Sequence, residues 1–341
     1  MRAAFFSEFG GPEVIEIGAM PMPAPGAGEV RIKVEAAAMN HLDLWVRRGL
    51  PIETPMPHIG GSDLAGVVDA IGPGAEGVTV GTRVVVDPSL NYEWYDAQGR
   101  GASFEDPPFR IIGEHTQGAF AEYTVVPAEN LLEIPPDVPY DRAAAAGLVF
   151  VTAWRALMTR AELRAGERVL ITGASGGVGT AAIQIAVQAG ATVYAVTSGS
   201  DKVARAHDLG AHAVYDRKKV DFSREVWRET AKAGVHVVFD TVGETMWTQC
   251  LRTLGVRGRL VSSGATTGSR GVTEIRLLFW KQLSLMGSTM GTPAEFRRVM
   301  RLVFDGQLEP VIHEILPLDQ TREAHQMLEA GSVFGKIVLV P

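Results

Sequence analysis

The sequence predicts an α/β fold, a doubly wound parallel sheet preceded by a compact antiparallel β domain, and three observations predict it. A strand, a glycine turn and a helix start follow one another in mid-chain. Val169-Leu170-Ile171-Thr172 runs into Gly173-Ala174-Ser175-Gly176-Gly177-Val178-Gly179, and a small-residue helix over 180–189 follows at once. Strand-like apolar runs then alternate with helical stretches, at 192–196, 213–215, 236–240, 259–262 and 283–288, which is the pattern of a parallel sheet. The residues before the turn have another texture, short alternating runs at 30–35, 65–70, 83–86 and 119–126 separated by Gly and Pro, as in a small antiparallel β domain.

The glycine turn carries a chemical expectation. Backbone amides at a helix N-terminus are free to donate, and glycines let a pyrophosphate approach the main chain and let helix pack on strand. The first glycine of the G-x-G-x-x-G pattern is replaced by Ala174, so the strands around the turn are what give it weight. Ala174, Ser175, Gly176, Gly177, Val178 and Gly179 are the expected pyrophosphate cradle. Beyond the sixth sheet strand come a helix pattern at 293–304, a second near 320–329 and a last strand at 336–340, placed to rejoin the first domain.

At 341 residues, with 46% hydrophobic and 21% charged, the chain has the material for about two domains. Its formal charge of -7 argues against nucleic acid or anionic membrane as a partner, leaving a small-molecule substrate. No apolar run reaches membrane-spanning length, and the opening residues turn polar at Ser7-Glu8, so a cytoplasmic protein is expected. The one cysteine, Cys250, excludes an internal disulfide and a thiolate metal cluster.

Gly11-Pro12-Glu13-Val14, Asn40-His41-Leu42-Asp43, Gly66-Val67-Val68 with Ile71-Gly72, Gly118-Ala119-Phe120-Ala121-Glu122-Tyr123, Phe150-Val151-Thr152-Ala153-Trp154, Phe239-Asp240-Thr241-Val242-Gly243 and Gly335-Lys336-Ile337-Val338 together resemble the medium-chain dehydrogenase/reductase superfamily. That superfamily includes zinc alcohol dehydrogenases and zinc-free quinone oxidoreductases related to zeta-crystallin. The resemblance implies a GroES-like catalytic domain from 1–152 and 291–341, a Rossmann domain inserted as 153–290, and an active site in the cleft between them.

The zinc ligands of that superfamily have no counterparts here. Counting back from Gly113-Glu114-His115, the structural-zinc cysteines fall on Tyr92, Tyr95, Gln98 and Asp106, so aromatic packing and the stiffness of Pro107-Pro108 are expected to hold the lobe. The catalytic-zinc positions fall on Asn40, Ser62 and a residue near Leu148, and the hydroxyl that relays the alcohol proton becomes Leu42. A surrogate set of His41, His58, His115 and Asp63 can be drawn, but nothing in the sequence fixes those side chains at ligand geometry. Without a Lewis acid, alcohol deprotonation has no evident means, whereas hydride addition to a quinone or conjugated alkene needs only hydrogen bonds to a carbonyl oxygen. The resemblance therefore implies a metal-free reductase.

By the same resemblance Asn40 orients substrate or nicotinamide, with a loop turn as its structural alternative. Asp43 is the acid of the Asn-x-x-Asp pattern or a partner of backbone, Arg47 or Arg48. His41 is a candidate proton donor beside solvent, Trp45 a pocket wall, and Asp63 a further candidate.

The carboxylate that grips the adenine ribose in NAD enzymes is expected about 20 residues beyond the glycines, where this chain has Ser198. Lys202 and Arg217 nearby favour a 2′-phosphate, hence NADPH with NADH as the alternative. Asp201 opposes this or caps a helix from residue 202. By the resemblance Thr152, with a helix cap as its structural alternative, belongs to the nicotinamide end with Gly264, Ala265, Ser288 and Thr289, and Asp240 closes a strand at the ligand-binding edge of the sheet. The resemblance also implies that the last sheet strand pairs with its copy, giving a homodimer or a tetramer, which would cover an otherwise exposed apolar edge. Two rivals stand beside the reductase: an alcohol or aldehyde dehydrogenase with improvised ligands, and a non-enzymatic NADPH-binding protein.

Overall fold

The computed structural model describes residues 1–92, 95, 96 and 109–341. It divides into one unit of Met1–Leu148 with Gly291–Pro341 and a second of Val149–Met290. The first change of unit falls within the helix Tyr140–Trp154, at Leu148 rather than after residue 152.

In the second unit the strands Arg168–Ile171, Thr192–Thr197, Ala213–Asp216, Val235–Asp240, Leu254–Ser262 and Ser284–Gly287 form one six-stranded sheet. All are parallel, and in chain order they lie third, second, first, fourth, fifth, sixth across it. Val169, Leu170, Ile171, Val237, Val238 and Phe239 are wholly buried, as expected where helices cover both faces and strands read as continuous apolar runs. The order reverses at Arg168–Ile171, between its neighbours Thr192–Thr197 and Val235–Asp240, which is the topological switch point of a Rossmann sheet. The helix Gly177–Gln188 leaves that strand through the glycine turn. A Cβ on Gly179 would lie 2.3 Å from the Gly173 carbonyl oxygen, so only glycine allows this helix to start so close to the turn. The next helix runs Ser200–Asp208 with Gly199 as its cap residue at φ 93°. Asp201 therefore stands in the first turn and does not cap a helix beginning at residue 202.

In the first unit a seven-stranded sheet has the order Ile312–Pro317, Lys336–Val340, Glu29–Ala38, Asp63–Ile71, Arg83–Val86, Leu131–Glu133, with Tyr123–Pro127 also paired to Glu29–Ala38. The C-terminal strand enters by pairing Val338 and Leu339 with Ala38 and Ala37, which brings the chain's end to the residues just before Asn40. The expected aromatic packing is present: Tyr92, Tyr95 and Phe109 form a triangle with ring centroids 4.8–5.7 Å apart. Gln98, Asp106, Pro107 and Pro108 lie outside the described residues.

The helix His41–Arg48 is held from behind by Arg47, which is 0% exposed. Its guanidinium donates to Gly10 O at 3.1 Å, to His325 Nδ1 at 3.0 Å and to the Glu329 carboxylate. A buried guanidinium is tolerated only when its donors are met, and here they tie this helix to Thr321–Glu329. Because Arg47 donates to Nδ1, His325 must be neutral, and burial followed by the Arg47 charge pushes its pKa down to about 3. Between about pH 6.5 and that value the unfolded chain binds a proton that the folded chain refuses, so stability falls as the pH drops through this window and is indifferent above it. Denaturant titrations of the wild type and His325→Asn across pH 4.5 to 8 are expected to show parallel behaviour above about 6.5. Below it, the wild type should lose up to about 1.4 kcal/mol per pH unit relative to the variant; parallel curves throughout would contradict this role.

Candidate active site

Asn40 ends the strand-to-helix turn in the first unit and is 5% exposed. Its Oδ1 accepts from Lys336 Nζ at 2.5 Å and its Nδ2 donates to Asp63 Oδ2 at 2.9 Å. Lys336 Nζ also reaches Asp63 Oδ2 at 3.2 Å, while Asp63 Oδ1 accepts from the Leu148 amide at 2.6 Å. Lys336 and Asp63 are 3% and 1% exposed. Burial lowers the Lys336 pKa and the Asp63 charge opposes that. Asp63 is thus committed to Lys336, Asn40 and backbone.

Asp43 accepts from the Asn40 amide at 2.7 Å and from the Gly61 amide at 3.1 Å. The backbone alternative for this residue is what the geometry shows. Arg47 and Arg48 pair instead with Glu329. Burial raises the Asp43 carboxyl to about 7, against the lowering effect of its amide donors and of Lys336. Glu114, also pushed to about 7, is raised by burial and then by the charge of Asp43.

His41 opens the helix, with its ring 5.6 Å from that of Trp45 in an edge-on contact. Desolvation and then Arg48 hold its pKa below the ordinary value, so the imidazole is neutral near pH 7 and a weak acid. The other members of the imagined surrogate metal set face elsewhere. His58, wholly buried, meets Gly113 O through Nε2 at 3.0 Å, and His115 Nδ1 accepts from the Ile111 amide at 3.2 Å. Among the described residues no group of three or more His, Cys, Asp or Glu side chains is spaced to hold a metal ion.

In the second unit the first helical hydrogen bond after the glycine turn runs from Thr180 N to Gly176 O, placing Gly177, Val178 and Gly179 in the N-terminal turn, whose amides have no intrahelical acceptor. Ala174 is buried and its amide is spent on Val196 O at 3.1 Å. Ser175 leads to Gly176, where an added Cβ would meet only Gly173 O, at 3.6 Å. The turn therefore leaves room over its amides, as a dinucleotide phosphate requires.

At the carboxyl ends of the strands, Thr197 Oγ1, Ser263 Oγ and Ser288 Oγ are buried and have no protein partner. Polar atoms in that state fit the hydrogen-bonding edges of a bound nucleotide. Ser198 is half-buried, and Gly264 and Ala265 form the turn after Leu254–Ser262. Lys202 is depressed by partial burial and then by Arg205 and Lys218, with Asp201 acting in the opposite sense. A cationic cluster thus borders Ser198, with Arg217 exposed beside it.

Two cofactor assignments change character. Asp240 is 0% exposed and accepts from Thr172 Oγ1 at 2.6 Å and from the Val242 and Gly243 amides at 3.2 and 3.0 Å. It shapes the turn by tying it to the first strand. Thr152 lies inside the helix Tyr140–Trp154, so it does not cap one; its hydroxyl is 4.0 Å from Met290 Sδ. Thr289 is exposed.

Lys336, Thr197, Ser263 and Lys218 are further residues of these clusters that no sequence motif singles out for a role. A lone lysine opening the otherwise apolar strand Lys336–Val340 was the available signal for the first, since a charge in a core strand needs a buried partner.

Residues 26–136 match the model for the alcohol dehydrogenase GroES-like domain and residues 177–305 the model for zinc-binding dehydrogenase. The chain is 30% identical to the human quinone oxidoreductase, over 100% of this chain and 98% of that one. Among solved structures it is similar to an NAD-dependent alcohol dehydrogenase, at 39% identity and TM-score 0.93 with both chains fully covered. It is also similar to a crotonyl-CoA carboxylase/reductase in complex with NADP, at 26% identity and TM-score 0.89, covering 100% of this chain and 94% of that one. Sheet order, glycine turn and these full-length likenesses agree, and the chain belongs to the medium-chain dehydrogenase/reductase superfamily of oxidoreductases.

Proposed function

We propose that this oxidoreductase is a zinc-independent, NADPH-dependent reductase that delivers hydride to a quinone or an α,β-unsaturated carbonyl compound, enoyl thioesters included. The observation that carries the reading is the state of Asn40. It stands where zinc relatives place a metal-ligating cysteine, and its amide oxygen is taken by an ammonium group. An amide and an ammonium are poor company for a divalent cation. Ser62 and Leu148, at the other ligand positions, add a hydroxyl and an alkyl chain. Zinc does not fit this donor set.

NADPH fits the second unit. The amides of Gly177, Val178 and Gly179 face the pyrophosphate, the hydroxyls of Thr197, Ser263 and Ser288 serve the sugar and carboxamide, and Lys202, Arg217 and Lys218 supply positive charge for the 2′-phosphate. Bound NADPH supplies a hydride. When a carbon of the acceptor takes it, an electron pair moves onto the conjugated carbonyl oxygen and solvent supplies the balancing proton. The protein's task is to donate hydrogen bonds to that oxygen. Asn40 Nδ2 has two N–H groups, one bound to Asp63, and the second is the donor assigned here. Trp45 walls the acceptor, and His41, neutral near pH 7, serves as a spacer and not as the acid.

The likeness to an NAD-dependent alcohol dehydrogenase favours a second reading, alcohol oxidation with NAD. Chelator-treated protein assayed against a naphthoquinone, an enone, crotonyl-CoA and an aldehyde separates the two. Turnover of a quinone, enone or enoyl thioester is expected without added metal, with NADPH preferred over NADH by at least tenfold, since one charge-assisted contact to phosphate contributes about 1.5–3 kcal/mol. Activity confined to the aldehyde and restored by zinc would refute the reductase.

The assembly proposed is a homodimer. Ser284–Gly287 is paired on one side only, and Val272, Ile275, Phe279 and Trp280, in the segment just before it in the chain, are 81%, 72%, 62% and 80% exposed. An unpaired edge with such a surface suits a second copy of this chain. Light scattering should give twice the chain mass, and Phe279→Glu with Trp280→Glu should give a folded monomer; a wild-type monomer would contradict the assignment.

A further inference from the structure

We propose that Lys336 is a positioning residue, whose ammonium on Asn40 Oδ1 and Asp63 Oδ2 fixes the Asn40 amide in its donor orientation and is the resident positive charge of this cluster. The proposal rests on the reductase reading and adds to it the residue that makes Asn40 a donor.

The geometry allows one arrangement. An ammonium has donors only, so the Asn40 atom 2.5 Å from Lys336 Nζ must be the amide oxygen. A carboxylate has acceptors only, so the Asn40 atom 2.9 Å from Asp63 Oδ2 must be the amide nitrogen. Turning the amide over would set nitrogen against ammonium and oxygen against carboxylate. A cation on Oδ1 also draws electron density from the amide and strengthens the remaining N–H as a donor. The pair is buried, anchored at its far side by the Leu148 amide on Asp63 Oδ1, and bridges 296 residues of chain from Asn40 to Lys336. Its charge reaches further: Asp43 is faced by Lys336, by Asp63 and by Glu114, and of these Lys336 alone favours its ionised form.

The test is Lys336→Met, which keeps the stem and removes the charge. With the accepted quinone or enone, kcat is expected to fall at least about tenfold while KM for acceptor and NADPH moves by less than about threefold, because the binding surfaces are untouched. The Asp43 carboxyl, followed by carbon NMR of aspartate-labelled protein, should titrate at higher pH in the variant. A folded variant with wild-type kcat, or with an unmoved Asp43 midpoint, overturns the proposal. Should Lys336→Met not fold with Asp63 left unpaired, Asp63→Asn combined with Lys336→Met removes both charges; loss of kcat is expected there too, and its retention overturns the proposal. A wild type that reduces no quinone, enone or enoyl thioester refutes the reductase reading instead, and the Asp43 midpoint, which needs no turnover, then decides the role of Lys336.

Discussion

One buried ion pair, Lys336 with Asp63, holds together the end of the first unit around Asn40. An ammonium in a core strand is stable only with a carboxylate and further acceptors around it. Here the acceptors are Asp63 and Asn40. Satisfying Lys336 therefore draws together the last strand, the strand that starts at Asp63, and the turn before His41–Arg48. The remaining Asp63 oxygen then claims the Leu148 amide, which ties the helix Tyr140–Trp154 to the same cluster. Removing either member would leave an uncompensated buried charge, whose cost is about 3–5 kcal/mol in such pairs.

The second unit rests on a steric constraint in place of an electrostatic one. Gly179 and Gly173 approach until no Cβ fits, so the helix Gly177–Gln188 begins directly above the switch point. Its first amides face the carboxyl ends of the strands, where unpartnered hydroxyls collect. The fold thereby sets free amides and unpartnered hydroxyls in fixed positions at one edge of the sheet.

Much of this was legible in the sequence because it depends on local pattern. The helix Pro293–Phe304 and the strand Lys336–Val340 fall on the residues that periodicity indicates, and six apolar runs mark six parallel strands. What escaped depends on contacts between distant residues. Asp43 is near Arg47 in sequence, yet Arg47 turns to His325 and Glu329, which no local pattern reveals. Asp240 closes a strand at the ligand edge, but Thr172 and two amides consume its oxygens. Lys336 was visible as part of a family motif, while its role lies in a contact to a residue almost the full chain away. Thr197, Ser263 and Ser288 share a property, an unpartnered buried hydroxyl, that exists only once the sheet is formed.

On the proposed reading an ammonium, not a metal ion, is the cation at Asn40. The most direct measurement is a crystal structure grown with NADPH and excess zinc, with anomalous data collected on both sides of the zinc edge. The expected result is Lys336 Nζ within hydrogen-bond distance of Asn40 Oδ1 and Asp63, and no zinc peak beside them. A zinc ion ligated by Asp63, with Lys336 displaced, would contradict it.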